Sequence, residues 1–75
     1  MDIIQRVKVK IIYDDIVNLD AMIEKELGKK AIKTENINGE RVLTFSYANK
    51  RDAGPARFIV KKVPRGTTIR VEREK

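Results

Sequence analysis

A chain of 75 residues with 37% charged side chains, 41% hydrophobic ones and a net charge of +6 has room for one small basic domain, at a size where the core leaves only about 3–5 kcal/mol of net stability. It contains no Cys and no His, which excludes disulfides, thiolate metal sites, imidazole ligands and the usual general base at neutral pH. No apolar run approaches the roughly 20 residues that span a bilayer, and the opening Met1-Asp2-Ile3-Ile4 lacks the basic-then-apolar pattern of a secretory signal, so a cytoplasmic protein with no membrane partner is expected.

Ile3 to Tyr13 reads as a strand. Ile3, Val7, Val9, Ile11 and Tyr13 alternate with Arg6, Lys8 and Lys10, a period of two with one face apolar. From Asp14 to Leu27 the period changes. Ile16, Leu19, Ile23 and Leu27 recur at spacings of three and four, with Met22 widening the stripe, which predicts a helix over 14–27. Asp14 or Asp15 is its expected cap and Gly28 its left-handed end.

Ile32 to Tyr47 reads as a hairpin about Asn38-Gly39, two residues that tolerate positive φ. That turn pairs Ile37 with Glu40, Thr34 with Leu43 and Ile32 with Phe45. Ile32, Thr34, Leu43, Phe45 and Tyr47 then share the expected core face. Asn49 to Pro55 reads as a polar loop. Ala56 to Val63 and Thr67 to Arg73 read as a second hairpin about Pro64-Arg65-Gly66. Its register is open, because a one-residue slip exchanges the faces. The expected fold is α+β: a single domain over 1–75, in the order β-α-β-β-β-β, with one amphipathic helix on a mainly antiparallel sheet.

Charge is distributed unevenly. Met1 to Asn49 holds eight basic and eight acidic residues, whereas Lys50 to Lys75 holds nine basic and three acidic ones, which accounts for the whole net charge. Such asymmetry points to an anionic partner. Lys and Arg that neutralise phosphates also release condensed counterions. The expected contacts are Lys50, Arg51, Arg57, Lys61, Arg65 and Arg70 on the loop and final hairpin, with Arg6, Lys8 and Lys10 extending the track along the first strand. Tyr13, Phe45 and Tyr47 fall on the expected core face and Phe58 is unassigned, so no exposed aromatic pair for stacking bases is visible. Backbone contact with duplex DNA or structured RNA is the expected mode.

The bland alternatives are a solvated charged face and, for the first strand, Lys residues that block edge-to-edge aggregation. Abundant Lys, Arg, Glu and Ile with a single Gln match the bias of hyperthermophile proteins. Catalysis has little support. Asp14/Asp15 and Glu24/Glu26 read as capping and solvating residues, and no phosphate-cradling glycine loop or metal spacing occurs. The expected protein is a non-enzymatic nucleic-acid binder with no cofactor, metal or small-molecule substrate. The alternative is a small accessory or adaptor subunit, or a homodimer, docking by a sheet edge or face.

Overall fold

The computed structural model describes residues 6–74. It has four strands and three helical segments: β1 (Val7–Asp14), α1 (Asp20–Leu27), β2 (Lys33–Ile37), β3 (Glu40–Tyr47), α2 (Lys50–Ala53), a 3₁₀ helix (Gly54–Lys61) and β4 (Ile69–Glu74). The strands form one antiparallel sheet in the order β2-β3-β1-β4, so the fold is α+β. The N-terminal part of the first expected strand, Ile3 to Gln5, lies outside the described residues.

β1 pairs with β3 from Val7↔Tyr47 to Asp14↔Glu40, and with β4 from Lys8↔Glu74 to Tyr13↔Ile69. Directly paired residues share a face. Val9, Ile11 and Tyr13 therefore meet Leu43 and Phe45 on one side, where Ile23, Ala53, Ala56 and Ile59 complete the buried core. The hairpin β2–β3 has the expected register, Ile37↔Glu40 and Thr34↔Leu43. Its turn residues Asn38 and Gly39 have φ of 51° and 80°, the doubly positive geometry of a two-residue hairpin turn. Ile32, expected in the core, is exposed. β2 is an edge strand, and the helical layer packs over the other strands.

The helix expected from Asp14 begins at Asp20 instead. Local polar bonds outweigh the apolar stripe. The Asp14 N–H donates to Thr68 O and the Asp15 N–H to Gly39 O, each at 3.0 Å. The Asn18 side chain accepts from the Asp20 N–H at 2.9 Å, a local bond that competes with helix. Ile16 and Val17 are left 84% and 61% exposed in the resulting turn. Gly28 ends α1 as expected, at φ 71°, with its N–H bonded to Glu24 O and Lys25 O.

The larger correction concerns Ala56 to Val63, which is not a strand: the chain is helical as far as Lys61, and Lys62 and Val63 lie in the turn that follows. No second hairpin exists: β4 pairs with β1. β3 and β4 are both antiparallel to β1, so they run parallel to each other on its two sides. A parallel return requires a crossover of about a dozen residues or more. α2 and the 3₁₀ helix supply it, packing against β1 and β3 and then against β4 and α1. The inward residues Ala53, Ala56 and Ile59 are three apart, the period of a 3₁₀ helix, and all are buried. Asn49 starts this connector, its Oδ1 accepting from the Asp52 N–H at 2.8 Å. Pro55 sits in the first turn of the 3₁₀ helix, where its missing N–H costs little.

Candidate nucleic-acid interface

The crossover connector carries most of the chain's net charge. Between Lys50 and Gly66 stand Lys50, Arg51, Arg57, Lys61, Lys62 and Arg65 against the single acid Asp52. That is a surplus of five out of the net six. All six cations are exposed. Because Ala53, Ala56 and Ile59 occupy the inward side, Arg57 and Lys61 project from the solvent side of one continuous helical segment. Among the described residues, none of the six lies within ion-pairing distance of a carboxylate; the ion pairs formed there involve Lys33, Arg41 and Arg70. Six like charges on one short connector repel one another. Lys61 and Lys62 also suit the negative end of the 3₁₀ helix.

Five of the sequence-derived contacts, Lys50, Arg51, Arg57, Lys61 and Arg65, fall together on this connector, and Lys62 joins them. The others do not. Lys8 and Lys10 point from the opposite face of the sheet. There β1 does lie beside β4, but β4 places Glu72 opposite Lys10. Lys33, Glu35, Glu40 and Asp14 share that face by register, so it is a mixed surface rather than a cationic track. Arg6 donates through Nε to Ser46 Oγ at 2.7 Å.

Arg70 has a structural partner set. Its guanidinium bonds to Glu40 at 3.0 Å and Glu72 at 3.1 Å, and these bonds, Glu40 first, raise its already high pKa. Glu40 is on β3 and Arg70 on β4, so the side chain reaches across β1. Ile12 is its direct partner in register. Ile12 and Val42 are 5% and 7% exposed on this helix-free face.

The connector's helical signal was present in the sequence as Asn49-x-x-Asp52 followed by Ala53, Ala56 and Ile59. Alternating Phe58, Val60 and Ile59, Val63 masked it, since short apolar runs fit both periods. Phe58 and Val60 are 47% and 41% exposed. Arg57 Cζ lies 5.2 Å and Lys61 Nζ 5.7 Å from the Phe58 ring centroid.

The described residues contain no cluster of His, Cys, Asp and Glu able to hold a metal ion. No helix among them is long and apolar enough to cross a membrane. A cleft of about 230 Å³ at one end of the molecule is lined by Ile16, Val17, Leu19 and Pro64 among others. Comparison with protein-family models, with curated proteins and with solved structures finds no match.

Proposed function

We propose that the chain is a non-enzymatic nucleic-acid-binding protein that grips phosphates through the connector between β3 and β4. Lys50, Arg51, Arg57, Lys61, Lys62 and Arg65 are the contacts. The supporting observation is that six exposed cations without carboxylate partners among the described residues lie on the one connector, with Lys50, Arg51, Arg57 and Lys61 on its helical part and Lys62 and Arg65 in the turn that follows. Its inner side is anchored in the core by Ile59, so the charges are presented at low entropic cost.

If each cation neutralises one phosphate of a duplex, log K against log salt has a slope of about −5. Gel-shift titration with duplex DNA and with a hairpin RNA, between about 50 and 200 mM salt, tests this. Affinity that does not change over that range counts against phosphate neutralisation. Replacing Arg51, Arg57 and Lys61 together by Glu abolishes binding and leaves the fold intact, since all three side chains are exposed.

A second reading, an adaptor docking on a partner protein, draws support from the exposed Ile16 and Val17 beside the apolar cleft. Replacing Ile16 and Val17 by Ser separates the two. The adaptor reading requires loss of a co-purifying protein, whereas the nucleic-acid reading requires unchanged gel shifts.

A further inference from the structure

Phe58 is the only aromatic side chain among the described residues that faces solvent; Tyr13, Phe45 and Tyr47 are buried. The geometry of the connector decides this. With three residues per turn, side chains i and i+3 stand in line. Ala53, Ala56 and Ile59 form the inward line, which leaves Pro55, Phe58 and Lys61 in a second line and Arg57 and Val60 in a third. The ring is therefore carried on a segment that the core holds, with Arg57 Cζ and Lys61 Nζ over it, 5.2 and 5.7 Å from its centre.

A phenyl ring flanked by cations matches what single-stranded nucleic acid needs. A base stacks on the ring as the two exposed cationic side chains swing off it to meet the adjoining phosphates. A base within a continuous duplex already has both faces covered by its neighbours and cannot use the ring. The core does not take up Phe58, which stays 47% exposed.

We infer that Phe58 is a stacking residue for an unpaired base, so that the connector's ligand is a single-stranded or looped nucleic acid. This rests on the nucleic-acid reading above and specifies its substrate class. Arg57 and Lys61 hold the backbone on either side of the stacked base.

The chain contains no Trp, so F58W introduces a single reporter at the site. Binding of oligouridine of about 12 nucleotides quenches its fluorescence, and a duplex of equal length does not. F58A weakens oligouridine binding about tenfold and duplex binding less than about twofold. Circular dichroism confirms that both variants fold. If F58W is not quenched and F58A binds both ligands as the wild type does, stacking is overturned while phosphate binding stands. If the wild type binds neither ligand at low salt, both readings fall. A fluorescence change on phosphatidylserine vesicles, with none on oligouridine, overturns the inference in favour of a membrane surface.

Discussion

Asp20 and Arg41, on α1 and β3, meet at 2.6 Å on the helix-covered side of the sheet. Asp20 Oδ2 also accepts from Arg41 Nε at 3.0 Å, and its Oδ1 accepts from the Tyr13 hydroxyl. The same hydroxyl accepts the Leu19 N–H at 2.9 Å. One carboxylate thus joins β1, the start of α1 and β3, with its side chain only 18% exposed. Asp20→Asn removes the charge while preserving size. It should destabilise the domain by about 1.5–3 kcal/mol, the range for hydrogen bonds to a charged group, read as a lower urea midpoint at unchanged slope.

Acid should act through the same carboxyl. Burial pushes the Asp20 pKa up, but hydrogen bonds from Arg41 and Tyr13, together with the Arg41 charge, outweigh it and hold the group below its usual value. A depressed carboxyl contributes stability that is fully present above the unfolded-state pKa and is lost as pH falls through the folded one. Wild-type stability should therefore fall below about pH 4, and Asp20→Asn should fall less steeply there. Parallel curves for the two proteins would show that other carboxyls govern acid unfolding.

At the alkaline end the sign reverses. Burial, followed by the hydrogen bond to Asp20, raises the Tyr13 pKa to about 12. Burial raises that of Tyr47 as well. A raised pKa contributes stability that is present below the unfolded value near 10 and lost as pH rises through the folded one. The two tyrosines should resist ionisation at pH 10, and tyrosinate absorbance should appear together with unfolding above it. Half-titration at pH 10 in a folded protein would contradict the buried placement.

Ile59→Ala and Val60→Ala discriminate helix from strand in the connector. Ile59 is 2% exposed and Val60 41%. Truncating the buried residue should cost about 2–4 kcal/mol, and truncating its neighbour less than about 0.5 kcal/mol. Equal costs would point to the two-sided strand that the apolar pattern also permits.

Arg57 and Arg70 should behave differently toward nucleic acid although both were expected contacts. Arg57→Ala should reduce the salt slope of binding by about one. Arg70→Ala should leave that slope unchanged, because Glu40 and Glu72 already hold the guanidinium. A slope change at Arg70 would place the ligand on the sheet rather than on the connector.

Where the determinants were local, they were legible in the residues. Asn38-Gly39 set the turn and register of β2–β3, since few residues accept two positive φ angles in succession. Gly28 ended α1 for the same reason. Alternation in Val7–Tyr13 identified the core face of β1. The surplus of charge after Asn49 needed only counting.

The remainder depended on which elements became neighbours. Whether Ala56–Val63 is strand or helix was not decided by its own pattern; Phe58-Ile59-Val60 suits either. The decision came from β4 pairing with β1, which left the intervening chain to cross back over the sheet, and a crossing segment must bury one line of side chains and satisfy its own backbone. The same choice separated Arg70 from Arg57, paired Lys10 with Glu72, and turned Phe58 outward. Charge content is a property of the chain, but which charges face one another is fixed by strand order, because pairing energies between distant segments are absent until those segments meet.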